Sequence, residues 1–164
     1  MNLEPNAARI WKRLASADRQ AAATHLFADP APEAVAGAFA AIVRARRMRP
    51  QAVRAMSPEA QARAVAAILD PGEALAGSLL VALHLGERRP LLRAFLDAMG
   101  LPHEDGILKE EAEETPAPTV EALRTAIQGL ASFPKDHVDT YLNTLFLQDP
   151  DRWAALAETE APTD

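Results

Sequence analysis

The first hundred residues contain two copies of one sequence pattern, which restricts the chain to architectures that can be built from a repeated unit. Residues 16–30 (SADRQAAATHLFADP) align with residues 57–71 (SPEAQARAVAAILDP) at an offset of 41, with six of 15 positions identical. After the loss of one residue, residues 33–50 align with residues 73–90 at an offset of 40, and six of 18 positions are identical. Only four of these twelve identities are alanines, so the Ala-rich composition does not account for the match.

Each copy reads as helices separated by encoded turns. Ser16 and Ser57 stand at the start of each copy, and a serine hydroxyl caps a helix by accepting from an amide of its first turn. The dipeptide Asp-Pro, at 29–30 and again at 70–71, ends the first helix and begins the next, because proline fits only the first turn. Arg49-Pro50 and Arg89-Pro90 then start a third segment.

The second helix of each copy carries apolar residues at the spacing of one buried stripe. In the first copy these residues are Val35, Phe39, Ile42 and Val43, and in the second copy they are Leu75, Leu79, Ala82 and Leu83. We therefore expect both copies to bury the same face. Gly37 and Gly77 lie inside these helices, where glycine is unfavourable, which predicts the close approach of a neighbouring helix backbone. Chance is the alternative.

The remaining segments complete a predicted all-α domain over residues 1–157, a compact antiparallel helical-repeat bundle whose two similar units span 16–56 and 57–97. Apolar spacing around Trp11 predicts a short helix that caps the exposed end of the first unit. The other predicted segments are an N-terminal capping helix (1–15), tandem repeats (16–100), an acidic surface loop (101–118), C-terminal helices (119–157) and a frayed tail (158–164).

Local signals predict several helix ends. Gly100 is expected to close the last helix of the repeats. Apolar residues recur at helical spacing after Thr119, which is expected to cap its helix, and again after Pro134. A last short helix is expected to begin at 149–150 and to pack Trp153 and Leu156 against its neighbours. Two histidines, His25 and His84, lie near predicted helix ends and are expected to be partly buried.

Tandem helical units of about 40 residues with an Asp-Pro turn between paired helices resemble HEAT or armadillo-type repeats. The resemblance covers roughly residues 16–97. The chain departs from the HEAT or armadillo pattern in the short third segment of the first copy and in the small number of copies, so a compact, slightly curved helical bundle fits equally well. The resemblance implies a scaffold that binds proteins and occasionally nucleic acids, and it implies no catalytic residue.

Composition and charge exclude several function classes. The chain has no cysteine, which excludes disulfides, thiolate nucleophiles and Cys-rich zinc sites. The first residues lack a basic segment followed by an apolar one, and no segment approaches the roughly 18 apolar residues of a membrane span, so we expect a cytoplasmic protein that does not use a membrane. Residues 1–100 carry 13 basic and 9 acidic residues, whereas residues 101–164 carry 4 basic and 14 acidic residues.

Five arginines occur within eleven residues, and we call them the arginine cluster: Arg44, Arg46, Arg47, Arg49 and Arg54. Their guanidinium groups suit the oxygens of phosphates and carboxylates. One interpretation is structural, because cations complement the dipole at a helix C-terminus and the acidic half of the chain offers partners. The alternatives are binding of an acidic protein partner and binding of a nucleic acid. No aromatic residue is interleaved with the cluster, which argues against a stacking platform for single strands.

A second candidate polar site is formed by His103, Glu104 and Asp105, whose side chains offer metal ligands. Contiguous residues seldom converge on one metal ion, and the alternative is a solvated acidic loop. Neither HExxH nor the glycine-rich phosphate loops GxGxxG and GxxxxGK[ST] occur, so we expect no cofactor.

These observations predict a non-catalytic interaction module that binds a protein partner or self-associates. Nucleic-acid or polyanion binding through the arginine cluster is the alternative, and an enzyme with a carboxylate or histidine site near 103–105 is a more distant one. A further hypothesis is that the acidic residues between Glu110 and Glu114 partly screen the arginine cluster, so that deleting residues 108–116 increases polyanion binding.

Overall fold

Helices make up most of the chain. The computed structural model describes residues 3–29, 31–112 and 115–159. In chain order, the described α-helices are α1 (Ala7–Arg13), α2 (Ser16–Ala28), α3 (Pro32–Arg46), α4 (Pro50–Arg54), α5 (Pro58–Ala66), α6 (Glu73–Glu87), α7 (Arg89–Ala98), α8 (Val120–Gly129) and α9 (Lys135–Gln148). Two short strands, β1 (His103–Glu104) and β2 (Ile107–Leu108), and two 3-10 helices, Glu110–Ala112 and Ala154–Glu158, complete the elements. The predicted all-α class is confirmed.

The elements group into two compact units. Unit A comprises residues 6–87 and contains α1 to α6, and unit B comprises residues 1–5 and 88–164. The boundary after Glu87 lies inside the second predicted repeat, 57–97, so this repeat does not coincide with one compact unit. The single domain over 1–157 and the HEAT-like repeat stay predictions.

Unit A is held together by close contacts between helices that are rich in alanine. Helix α2 packs against α5 and α6, and α1 packs against α6. Fully buried alanines, among them Ala22 and Ala64, allow such close approach because their side chains are small. The buried Trp11 of α1 donates from Nε1 to the carbonyl oxygen of Ile68 at 2.8 Å. The predicted N-terminal capping helix therefore exists, but it packs on α6, a helix of the second copy.

The two predicted serine caps have different outcomes. The Ser57 hydroxyl accepts from the backbone N–H of Ala60 at 3.3 Å and caps α5 as predicted. Ser16, in contrast, is the first residue of α2, and Ala15 occupies the cap position without a side-chain hydrogen bond. Proline at position 58 favours the first helical position and leaves Ser57 outside the helix, whereas no proline follows Ser16. Pro30, predicted to help end α2, lies outside the described residues.

The predicted identity of the buried faces is wrong. The buried residues of α6 include Leu75, Leu79 and Leu83, and the aligned positions of α3 are only half-buried: Val35, Phe39 and Val43. Conversely, α3 buries Ala38, Ala41 and Ile42, and the aligned positions of α6 are half-buried: Ser78, Val81 and Ala82. The reason lies in the neighbours, because α6 packs mainly against α1 and α2, whereas α3 packs against α4, α5 and α6.

The expected close backbone approach at the helical glycines is also wrong. A Cβ at Gly37 would lie 3.9 Å from Cδ1 of Leu75, an ordinary van der Waals distance to a side chain. A Cβ at Gly77 would meet no atom within 4 Å among the described residues. Neither glycine is required for packing.

Unit B has an aromatic centre. The ring of Phe95 in α7 packs edge-on against Tyr141 of α9, with centroids 5.5 Å apart, and lies 5.8 Å from the ring of Trp153. Helix α7 ends as predicted at Gly100, whose φ of +63° and N–H bond to the Asp97 carbonyl oxygen belong to a glycine-terminated helix end. Thr119 caps α8, also as predicted, by accepting from the N–H of Ala122.

The segment predicted as an acidic loop, 101–118, contains a β-hairpin. Strands β1 and β2 pair antiparallel, with His103 opposite Leu108. The two residues that join them, Asp105 and Gly106, both have positive φ, +49° and +86°, as the tight turns of hairpins require. Gly106 is buried against Leu92, where an added Cβ would lie 2.9 Å from the Leu92 Cβ. The predicted acids Glu113 and Glu114 lie outside the described residues.

The end of unit B also differs in detail from the prediction. Instead of a helix beginning at 149–150, a turn precedes the 3-10 helix Ala154–Glu158. Trp153 and Leu156 are nevertheless buried as predicted. Most of the predicted frayed tail, residues 160–164, lies outside the described residues.

Candidate anion-binding surface

The arginine cluster lies at the corner where α3 ends and α4 begins. Arg44 and Arg46 belong to the last turn of α3, and Arg47 ends that helix in the left-handed conformation, with φ of 51° and ψ of 37°. Arg49 is the extended residue before α4, and Arg54 is the last residue of α4. The chain therefore presents five guanidinium groups from one short corner of unit A.

Buried residues on the inner side of the corner hold it in place. Ile42 of α3 and Val53 of α4 are fully buried. The buried amide of Gln61 in α5 donates from Nε2 to the carbonyl oxygens of Val53 and Met56, at 3.0 Å and 3.2 Å. These bonds give an additional donor to carbonyl oxygens at and just beyond the end of α4, where the helical pattern of N–H donors stops; the Val53 oxygen also accepts from the backbone N–H of Met56 at 3.1 Å. Sequence reasoning missed Gln61, because its spacing shows only a polar residue near a helix start.

All five side chains of the cluster are exposed. Among the described residues of unit A, none of the five takes part in a hydrogen bond or ion pair. The proposed pairing with the acidic half of the chain stays a prediction, and so does the screening of the cluster by residues between Glu110 and Glu114.

The local charge is one-sided. Between Glu33 and Glu59 the sequence has no acidic residue, so the corner carries five positive charges without an acid nearby in the sequence. The C-terminal dipole of α3 amounts to roughly half a negative charge. It therefore accounts for about one of the arginines and leaves the others available to an anion. Arginine binds carboxylate and phosphate oxygens through paired N–H donors, which suits this surface to either group.

His103, in the second candidate site, has a structural task. Its ring, with 12% of the side chain exposed, lies 3.0 Å through Nε2 from Oδ1 of Asp97. Its Nδ1 accepts the backbone N–H of Gly106 at 3.2 Å. Because Nδ1 accepts, the proton of a neutral ring resides on Nε2 and is donated to Asp97. Both ring nitrogens are engaged, and a ligand at Nδ1 would displace the bond from Gly106 in the hairpin turn.

The two neighbouring acids differ in their contacts. The Asp105 carboxylate lies 2.9 Å from Nη1 of Arg89 and 3.4 Å from Nη1 of Arg93, and Glu104 is exposed. In the described ranges, no group of three or more His, Asp or Glu residues converges as metal ligands would. His103 and Asp105 thus each hold the hairpin through separate contacts, His103 with Asp97 and Asp105 with the arginines of α7.

The other histidines predicted to be partly buried lie near helix ends. The half-exposed His25, in the last turn of α2, lies 2.9 Å through Nε2 from the Glu87 carboxylate. His84 of α6 is buried. No helix in the part of the chain that the structure describes has the length and apolar character that a membrane crossing requires.

Comparison of the chain with profiles of known protein families, with curated protein sequences and with solved structures gives no match. The geometry and charge of the arginine cluster are therefore the basis for a proposal about function.

Proposed function

We propose that this chain is a non-catalytic helical interaction module, which binds an acidic segment of a partner protein through the arginine cluster. The observation that carries the proposal is the exposure of all five arginines, none of which is paired within the described part of unit A. Long charged side chains held near one another without counter-charges repel, and an acidic ligand relieves that repulsion.

The residues between the arginines favour a protein ligand over a nucleic acid. Met48 between them and Met56, two residues after Arg54, are half-buried, and methionine adapts to irregular apolar side chains of a partner. No aromatic side chain lies between Arg44 and Arg54 to stack on bases. A nucleic acid that is held only by its phosphates remains the alternative.

A second copy of this chain is one source of an acidic segment. Residues 101–164 carry 14 acidic and 4 basic residues, so the acidic part of one copy complements the arginine cluster of another. Self-association of this kind predicts a molecular mass that rises with protein concentration and falls with added salt. Analytical ultracentrifugation measures both dependences.

Fluorescence anisotropy with a short labelled polyglutamate peptide and a labelled DNA duplex tests the proposal. The test variant replaces Arg44, Arg46 and Arg47 by Gln, and the control variant replaces Lys12, Arg13 and Arg63, which are also exposed in unit A. Both variants lose three positive charges. Exposed ion pairs contribute about 0.5 kcal/mol each, so the loss of three should weaken polyglutamate binding of the test variant by about tenfold, and the control variant should change much less.

Three outcomes of these titrations would contradict the proposal. Equal losses in the two variants would show that net charge alone governs binding. Tighter binding of the duplex than of polyglutamate at both about 50 mM and about 200 mM salt would favour the nucleic-acid alternative. No binding of either ligand at the lower salt concentration would remove the arginine cluster as an interaction surface.

The screening hypothesis needs a gentler change than deletion of residues 108–116. Ala112 is buried, and its carbonyl oxygen accepts from Nη2 of Arg152 at 2.8 Å, so the deletion would damage unit B. Replacing the exposed Glu110 and Glu111 by Gln removes the charge and keeps the fold. If these acids screen the arginine cluster, this variant binds polyglutamate more tightly than the parent chain, and unchanged binding counts against screening.

A further inference from the structure

Unit B contains an open groove beside α8 and α9, which we call the C-terminal groove. Its volume is about 700 Å³, and its apolar lining comprises Ile127, Leu130, Phe133, Val138 and Leu142. Small-molecule sites commonly enclose about 300–1,000 Å³ between mostly apolar walls. The groove therefore has the size to accept a small ligand, and the half-buried Ile127 and Phe133 offer apolar surface to it, whereas Leu130, Val138 and Leu142 lie beneath as buried residues.

Charged side chains also line the groove, and positive ones outnumber negative ones. Arg124 of α8 and Lys135, the first residue of α9, contribute two cations, and Asp139 contributes one anion. Within the part of unit B that the structure describes, none of these three side chains forms an ion pair. One Nη2 of Arg124 donates to the carbonyl oxygen of Glu158 at 3.3 Å, which orients the guanidinium and leaves its charge uncompensated.

The helix that carries Lys135 adds to the positive potential. Helix α9 spans 14 residues and has Pro134 at its cap position without a side-chain hydrogen bond. The N-terminal dipole of a helix attracts anions within its first turn. Lys135 and this dipole therefore act in the same direction at the groove. Asp136, also in the first turn of α9, opposes them but does not line the groove. The net charge of the lining suits a ligand with one negative charge.

We propose that the C-terminal groove binds a small amphipathic carboxylate, such as a straight-chain fatty acid of medium length. The alkyl chain packs against Ile127 and Phe133, and the carboxylate takes the place of a counter-ion for Arg124 and Lys135. The walls supply affinity through burial of apolar surface. The two cations supply the preference for an acid over the corresponding alcohol.

Isothermal titration calorimetry with butanoate, hexanoate, octanoate and 1-octanol tests the proposal on the full chain. We expect one binding site, with affinity that rises by up to about fourfold for each methylene group that becomes buried. We expect 1-octanol to bind about two- to fivefold more weakly than octanoate. Apolar burial makes the binding enthalpy change with temperature, so the absence of heat from octanoate at two well-separated temperatures would overturn the proposal. Equal affinity for butanoate and octanoate would do the same.

A matched pair of variants locates the site. Ile127→Glu places a carboxylate in the groove, whereas Ile107→Glu makes the same change at the half-exposed Ile107 of the hairpin in the same unit. Octanoate affinity should fall at least tenfold in the first variant and stay within twofold of the parent in the second. Equal affinities in the two variants would place octanoate elsewhere.

Two further variants keep the test decisive if Ile127→Glu does not fold. Lys135→Gln, at an exposed position, should weaken octanoate by about two- to fivefold and leave 1-octanol unchanged; equal effects on the acid and the alcohol would overturn the role of the charge. The variant with Arg44, Arg46 and Arg47 replaced by Gln should bind octanoate like the parent chain. Loss of octanoate binding there would assign the ligand to the arginine cluster and overturn the proposal.

Discussion

The replacement of Gly86 by Ala tests the packing of α2 against α6 at one defined contact. A Cβ at Gly86 would lie 2.1 Å from Cδ2 and 2.2 Å from Cγ of the His25 ring. Carbon atoms of non-bonded groups normally approach to about 3.5 Å. The ring of His25 would therefore have to move by about 1.4 Å, which breaks its 2.9 Å contact with the Glu87 carboxylate.

The expected magnitude follows from four contributions. Alanine is favoured over glycine by up to about 1 kcal/mol in a helix interior, and less at Gly86 because it is the second-last residue of α6. Displacement of the ring costs about 0.5–1.5 kcal/mol for a strained rotamer, and loss of the exposed His25–Glu87 pair costs about 0–1 kcal/mol. With the lost ring packing included, we expect a net destabilisation of about 1–2 kcal/mol.

Gly77 provides the matched control, because it lies in the same helix and an added Cβ there meets no atom within 4 Å among the described residues. Gly77→Ala should therefore stabilise the chain by about 0.5–1 kcal/mol. Urea unfolding, followed by far-ultraviolet circular dichroism, measures both changes. In a His25→Ala background the cost of Gly86→Ala should disappear, as a double-mutant cycle would show. A cost that persists in this background, or a stabilisation equal to that of Gly77→Ala, would refute the proposed clash.

Two other predictions concern local chemistry. Burial raises the pKa of the Tyr141 hydroxyl far above its ordinary value. A raised pKa contributes to the free energy of unfolding below about pH 10, the ordinary tyrosine value, and this contribution is lost as the pH rises further. Because Tyr141 is the only tyrosine, phenolate absorbance should appear only together with loss of helical circular dichroism, and titration near pH 10 in a folded chain would contradict it. Ser57→Ala should cost about 1 kcal/mol of unfolding free energy and Ser16→Ala almost nothing. Ser57→Ala should also raise the pKa of Glu59, because the Ser57 hydroxyl, after the backbone N–H of Glu59, lowers that pKa. Equal costs of the two serine variants in urea unfolding would contradict the assignment of the cap to Ser57.

Local signals in the sequence predicted the helices well. Apolar spacing located α8 and α9, and the glycine at 100 and the threonine at 119 marked helix ends because their conformation or hydrogen bonding is local. The side of a helix that becomes buried is not a local property. Phe39 and Leu79 occupy aligned positions, yet only Leu79 is fully buried, because α3 and α6 have different neighbours.

The hairpin was missed although its signal is present in the sequence. Asp105-Gly106 is a strong turn dipeptide, but the strands that flank it have two residues each, too few to show an alternating pattern. Because the hairpin was not predicted, the role of His103 was not predicted either: its ring nitrogens form hydrogen bonds with Asp97 and Gly106. The arginine cluster could be predicted from the positions of the arginines in the sequence. Its exposure could not, because exposure depends on how the buried Ile42 and Val53 hold the corner in place.

Arg47 connects the stability of this corner with its proposed function. A non-glycine residue in the left-handed region costs about 1–2 kcal/mol, and Arg47 adopts φ of 51° at the end of α3. Glycine adopts this conformation without strain, although it raises the entropy of the unfolded chain. Because the side chain of Arg47 has no hydrogen bond or ion pair among the described residues of unit A, Arg47→Gly should stabilise the chain by about 0.5–1 kcal/mol.

If the cluster binds acidic segments, the same change should weaken polyglutamate binding by up to about fivefold. Arg46→Gly, one residue earlier at the last position of α3, should weaken binding similarly but destabilise the chain, by less than the roughly 1 kcal/mol of a helix interior. Equal stability changes in the two variants would show that the left-handed conformation of Arg47 stores no strain, and unaltered binding in both would separate these arginines from the proposed partner.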